Sequence, residues 1–315
     1  MVKADRHATV PAAEVRTYYD HAVIREPVWT WEIPSYFFAG GLAGASAPLA
    51  LAARLTDRPD LARVLETAAA AGAAISPILL VADLGRPSRF YNMLRVFKLS
   101  SPMSVGSWAL AAFAPAAIGT AALDRLGWFP AVRPVAGTTA ALLGPIIATY
   151  TAVLFADTAV PAWHEAHREL PAVFAGSALA SAGAAGVIGL PVSAAAAARR
   201  ALLAGAAAEL AAVVAMERRL GPLAAPYRVD PARRFAHAAR WATAGGAMLV
   251  ATAGRSRRWA AATGASAVMV GSLCERWAVF AAGRQSARDP RATTGPQRAR
   301  RSADAVAARP ATVEA

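Results

Sequence analysis

The chain has 315 residues, 56% of them hydrophobic, with a mean hydropathy of +0.36 and a formal charge of +13. A soluble domain averages about 45–50% apolar residues; the excess here is mostly alanine, gathered in runs of about twenty, the length that spans a bilayer core. The single cysteine, Cys274, excludes a disulfide, a cysteine-held iron–sulfur cluster and a zinc knuckle within the chain, and basic residues spread over loops and tails, rather than over one face of a soluble fold, exclude nucleic-acid binding.

In chain order, "MVKADRHATVPAAEVRTYYDHAVIREPVW" has neither an apolar signal core nor a twin arginine. The first membrane helix is therefore expected to act as its own insertion signal, and residues 1–32 read as an interfacial segment. Eight apolar spans follow: Ile33–Arg54, Leu61–Ala82, Ser104–Leu123, Val135–Ala156, Ala172–Leu190, Arg200–Met216, Ala236–Ala253 and Trp259–Ala281. Breakers such as "DRP", "GWFP", "RELP" and "GPLAAPY" separate them. Only helices satisfy their own backbone in lipid without closing into a barrel, so the expected fold is an all-α integral membrane protein with eight transmembrane helices. The small residues of "GGLAGASAP" predict close helix–helix approach. After Gly283 the chain turns polar and basic, and residues 284–315 are expected to be disordered.

An even number of spans puts both termini on one side. Lys and Arg are more numerous there, and the positive-inside rule then places the termini in the cytoplasm. The C-terminal tail supplies much of that margin. Polar residues within the spans gather at the same side: Glu32 opens the first span, Asp83 closes the second and Asp157 ends the fourth. Tyr150 lies seven residues before Asp157, on the same helix face and about 10 Å deeper, a depth at which a phenol meets the head of a lipophilic ligand. Against this, helix ends tolerate carboxylates, Asp83 has Arg86 within reach as an ion-pair partner, and tyrosines anchor interfaces. Glu66, at the opposite side, reads as a topology or pairing residue. Glu209 falls about 14 Å inside the sixth span, where an ionisable group is expensive and a functional candidate by default. The histidines are His7, His21, His164, His167 and His237; none lies mid-span, so two axial ligands for a membrane b-type haem are missing. "HEAH" lacks the zincin spacing and reads as surface histidine.

The second and third spans are joined by "ADLGRPSRFYNMLRVFKLSSPMSVGSW". Phe90, Met93, Leu94 and Phe97 follow helical spacing, which predicts a short amphipathic helix in the interface. Arg86, Arg89, Arg95 and Lys98 face either lipid phosphates or an acidic partner surface.

This loop, with "PVWTWEIPSYFFAGGLAGAS", "TYTAVLFADTAVPAW", "ELPAVFAGSALASAGAA" and "ERWAVFAAGRQSARDP", resembles the NrfD / polysulfide reductase membrane-subunit family over about residues 18 to 290. The resemblance implies two four-helix bundles (here 33–157 and 158–283), with a quinone site between the first four helices. It implies a membrane anchor that exchanges electrons between a ferredoxin-like iron–sulfur subunit and menaquinone or ubiquinone in the bacterial cytoplasmic (inner) membrane. It further implies a molybdopterin catalytic partner, as in formate dehydrogenase- or polysulfide reductase-like complexes, with no haem and no iron–sulfur cluster in this chain. The family's fourth-span tyrosine matches Tyr150, and the acid ending its second span matches Asp83; its polar groups before the first span correspond loosely to His21 and Glu32. Tyr150, His21 and Glu32 are thus the expected quinone contacts. Asp83, Asp157 and Glu209 are the expected proton relays, and Arg86, Arg89, Arg95 and Lys98 the docking face. Some relatives place their catalytic subunits outside the cytoplasm on the side of the termini, opposite to what the arginine count favours. Two rival readings stand beside this one: a small transporter that uses Glu209, and a scaffold anchor with no quinone site of its own.

Overall fold

In a computed structural model of the chain, residues 23–294 are described. They are helical, with no strand among them. The helices are α1 (Glu32–Leu55), α2 (Pro59–Asp83), α3 (Phe90–Met93), α4 (Pro102–Leu126), α5 (Val132–Ala156), α6 (Pro161–His164), α7 (Leu170–Gly189), α8 (Ala196–Leu220), α9 (Ala232–Ala251) and α10 (Arg258–Arg288). A long helix stands at each apolar span. Six of them, α1, α2, α4, α5, α7 and α10, are long and apolar enough to cross a membrane. This is a multi-pass membrane protein. Helices α8 and α9 fall short of that apolarity, because α8 carries Arg199, Arg200, Glu209, Glu217, Arg218 and Arg219, and α9 carries Arg233, Arg234 and Arg240.

Local sequence explains the ends. Proline opens α2 and α4, where its missing N–H costs nothing. Ser101 caps α4 by accepting from the Ser104 N–H at 3.4 Å. Gly127 stops α4 with φ +66°, a left-handed position that glycine adopts without penalty. Each of α1, α2, α4 and α5 contains one internal proline, at Pro48, Pro77, Pro115 and Pro145.

The helices pack through small residues. Helix α1 lies against α2 and α5, and α4 against α5 and α2; α7 pairs with α8, α9 with α10, and α10 with α7. Helices α1 and α5 cross at Gly44 and Gly144, where a Cβ on Gly44 would sit 2.5 Å from the Gly144 carbonyl oxygen. Without a hydrophobic drive between helices in lipid, such backbone approach is a main source of cohesion. Helix α9 buries one stripe, Ala232, Ala236, Ala239, Thr243, Gly246 and Val250, and leaves Trp241 exposed.

At the end of α1 opposite Glu32, an ion-pair cluster ties four helices. Arg54 Nη2 lies 2.7 Å from Glu66 Oε2 and 2.7 Å from Asp124 Oδ1. Arg133 joins the same two acids, at 2.7 Å and 2.9 Å. Glu66 is thus the pairing residue its position suggested.

Two expectations are corrected. The interfacial helix is one turn, α3, preceded by a 3-10 turn at Pro87–Arg89; the chain then runs extended, and Phe97 lies off the helix. Pro87 fixes the entry, and Lys98 N and the Val96 carbonyl both bond Ser104 Oγ at 3.0 Å, which holds the strand-like exit. Helix α10 also runs past Gly283 to Arg288, with Ser286 and Ala287 buried. Arg288 holds Glu26 at 2.7 Å, which fixes the segment before α1 against this extension.

Candidate functional site

The end of the first four long helices that carries Glu32 and Asp83 encloses a cavity of about 80 Å³, lined in part by Tyr36, Phe37, Asp83, Met103, Ser107, Tyr150 and Leu154. Tyr150 reaches it from α5 and is 8% exposed. Its ring lies over Gly106 of α4, and a Cβ at Gly106 would overlap the ring. Tyr36 reaches the cavity from α1, and its hydroxyl is buried with no hydrogen-bond partner. Nor does the Tyr150 hydroxyl have a partner among the described residues. Buried polar groups are nearly always satisfied, so the buried, unmet Tyr36 phenol, with the unpaired Tyr150 hydroxyl on the same cavity, points to a ligand that accepts hydrogen bonds.

Asp83 lines the same cavity and accepts from the Thr30 N–H at 3.3 Å; no pair with Arg86 forms. The Thr30 hydroxyl donates to Glu32. Glu32 therefore stands one residue behind Asp83, linked to it through Thr30, and does not line the cavity. Asp157 is exposed at the C-cap of α5 and lies outside the cavity. Although Tyr150 and Asp157 share a helix face, the face turns from the core to the surface over those two turns. His21 lies outside the described residues.

A tier of aromatic rings packs next to this cavity. Phe155 and Trp163 stack at 4.0 Å, and Trp29 and Phe37 lie 5.7 Å and 4.8 Å from Phe155. Trp163, in α6, is fully buried and donates its indole N–H to the Val279 carbonyl at 2.7 Å. His164 and His167 on the same segment are exposed and bond backbone carbonyls, as surface histidines do.

Glu26 binds Arg288 at 2.7 Å and 2.9 Å and also pairs with Arg284. The Arg288 hydrogen bond, with help from Arg284, holds the Glu26 carboxyl below the usual carboxylate range.

A second polar group lies among α7, α8 and α10. Glu209, Glu275 and Arg276 are 2%, 3% and 1% exposed. Arg276 donates to the Phe174 carbonyl at 2.9 Å and lies 3.7 Å over the Phe174 ring. Its Nε and Nη1, and the hydroxyls of Ser177 and Ser181, have no partner among the described residues. Ser272 Oγ reaches Glu209 Oε2 at 3.5 Å. Gly176 permits this arrangement, because a Cβ there would meet the Glu209 backbone nitrogen at 2.6 Å.

The loop between α2 and α4 leaves Arg86, Arg89, Arg95 and Lys98 exposed, and none makes an ion pair among the described residues. Tyr91, Val96, Phe97 and Leu99 are also exposed. Trp108 donates to the Val96 carbonyl at 3.4 Å and packs edge-on against Phe97, which anchors the loop to α4.

Of the residues singled out from the sequence, Tyr150 and Asp83 line the cavity and Glu209 lies in the second polar group. Sequence reasoning missed Tyr36. The available signal was the one tyrosine within "PSYFFAGG", which an interfacial anchor would equally supply. The model of the family described as polysulphide reductase, NrfD, matches residues 21–287. No curated protein matches the chain.

Proposed function

The chain belongs to the polysulphide reductase NrfD family, and from that membership and the site's geometry we propose that it is the quinone-interacting membrane subunit of an oxidoreductase complex. The observation that carries this reading is the cavity lined together by Tyr36, whose buried hydroxyl has no partner, by Tyr150 and by Asp83. Quinone and quinol interconvert by two electrons and two protons, so such a site needs hydrogen-bond donors at the ring oxygens and a proton carrier beside them. Tyr150 donates to one ring oxygen. Asp83 holds or passes the proton, and the Thr30 bridge makes Glu32 the next carboxylate outward. Electrons are exchanged with an iron–sulfur partner seated on the basic loop, through Arg86, Arg89, Arg95 and Lys98, with a molybdopterin subunit beyond it. Asp157, exposed at the surface, belongs at most to the outer end of the proton route.

In this reading the two sets of packed helices act as two four-helix bundles, residues 33–157 with the quinone site and 158–283 with a proton route through Glu209, in a bacterial cytoplasmic membrane. Support for the second role comes from Glu209, Glu275 and Arg276, buried together beside unmet hydroxyls. Ionisable groups at membrane depth commonly mark proton or ion routes. The same groups are what a transporter would use. Quinone-linked turnover separates the two readings, since a transporter has none.

The test is Tyr150→Phe in the assembled complex. Loss of one hydrogen bond to the ligand, worth about 0.5–1.5 kcal/mol, raises the KM for quinone or quinol about 2- to 12-fold. Unchanged quinone-linked kinetics would remove the tyrosine from the site.

A further inference from the structure

We infer a second lipophile site at the opposite end of the same four helices, one that takes the ring of a quinone-class molecule. Its cavity holds about 190 Å³, with apolar walls from Ala47, Leu51, Ala69, Ala117, Gly137 and Ala140. The cap is polar and comes from Arg54, Glu66 and Arg133. Tyr36 and Leu51 mark the two cavities on α1, fifteen residues apart, so the sites stand about 22 Å apart along the helix.

The chemistry of the cap selects the ligand. Arg54 spends Nε and Nη2 on Glu66 and Asp124; Arg133 donates from Nη2 to Glu66, and its buried Nε lies 2.9 Å from Asp124 Oδ1 without a hydrogen bond. The Nη1 group of each makes no hydrogen bond among the described residues. Both arginines line the chamber, so each has an Nη1 group left to donate to an accepting oxygen there. Arg54, Arg63 and Arg133 face Asp60, Glu66 and Asp124, while Arg125, bonded to Thr67 and the Ala121 carbonyl, does not line the chamber. The two arginines that line the chamber are already paired with Glu66 and Asp124, so a phosphate would compete with carboxylates in place. A neutral ring carbonyl fits, because a guanidinium N–H donates to it without disturbing any pair. The volume is below the roughly 300–1,000 Å³ of drug-sized sites, so the chamber suits one or two fused rings, with the tail in lipid. The inference takes the ligand class from the function proposed above and assigns no electron transfer to this site.

The test is photolabelling of the assembled complex in nanodiscs with an azidoquinone, followed by peptide mapping. Two labels are expected, one on peptides around Tyr150 and one on peptides spanning residues 117–140. Gly137→Leu pushes a side chain into the chamber; a Cβ there first meets Thr120 Cγ2 at 3.4 Å, so the backbone tolerates it. It should abolish the second label and spare the first, which also reports that the variant is folded; Ala140→Leu provides an independent block. A label confined to the Tyr150 region overturns the second site and leaves the proposed function standing. No label at either end overturns both. A second label that excess phosphatidylglycerol displaces and unlabelled quinone does not overturns the quinone assignment.

Discussion

Gly106→Ala tests the geometry of the first cavity most directly. The Cβ it adds would overlap the Tyr150 ring at three of its atoms. The ring is held between α4 and the cavity, so any movement that relieves the overlap takes it from the position it holds there. Either α4 and α5 separate or the ring leaves its position. Overpacking of this kind costs about 1–3 kcal/mol, and a ring displaced by about 1 Å from a reacting position can cost up to a hundredfold in turnover. The overlap involves ring atoms and not the hydroxyl, so Tyr150→Phe should give no relief, whereas Tyr150→Leu should give most of it. Thermal unfolding of the complex in detergent, in all four combinations of Gly106→Ala and Tyr150→Leu, gives a coupling energy. The expected coupling is about 1 kcal/mol or more, with quinone-linked activity lost in both single variants. If Gly106→Ala costs the same with tyrosine and with leucine at 150, the two do not touch as described, and the argument for a shaped phenol site fails with them.

Three other outcomes follow from the same structure. Glu26 is bound by Arg288 and Arg284, and its folded pKa is lowered from an ordinary value of 4.5. A depressed carboxylate stabilises the fold above its unfolded pKa and loses that contribution as pH falls through the folded value. Glu26→Gln should therefore lower stability at neutral pH and flatten the loss of stability below about pH 4.5, as read by a pH series of melting temperatures. Glu209→Gln should leave the KM for quinone unchanged and reduce proton uptake or release measured with a pH dye in proteoliposomes; equal proton yield in both proteins would remove Glu209 from any route. Reversing Arg89 and Arg95 to glutamate should release the iron–sulfur partner on affinity purification, with quinone binding retained. A complex that survives the reversal returns these side chains to lipid contacts.

The long helices were legible because each is written as a local run: twenty apolar residues, a proline at the start, a glycine or proline at the end. Tyr150 and Asp83 were legible because both sit at defined positions in such runs. What the sequence did not expose depends on contacts across the fold. The cap of Arg54, Glu66, Asp124 and Arg133 joins residues up to 79 apart in the chain, and nothing in any one segment marks them as partners. The loop helix was misread because Phe90, Met93, Leu94 and Phe97 keep helical spacing while Ser104 and Trp108 bind the Val96 carbonyl, which draws the chain out of the helix after one turn. Trp163 carries no periodic signal, yet it is buried against α10 through Val279.

The alanine-rich composition and the polar interior have one cause. Helices joined through glycine and alanine approach until backbones touch, as at Gly44 with Gly144 and at Gly176 with Glu209. Such contacts leave little room for large polar side chains, so each one inside must be matched by a small residue opposite. Tyr150 is matched by Gly106, and Arg276 by Gly41, where a Cβ would come 3.3 Å from the Arg276 guanidinium. The small residues therefore both bring the helices together and decide where polar groups remain between them. A variant that enlarges Gly41 should disturb Arg276, and with it proton transfer, while the cavity at Tyr150 keeps its quinone kinetics. Enlarging Gly106 should do the reverse. If the two substitutions instead impaired both activities alike, the two polar interiors would not be the separate compartments that their matched glycines imply.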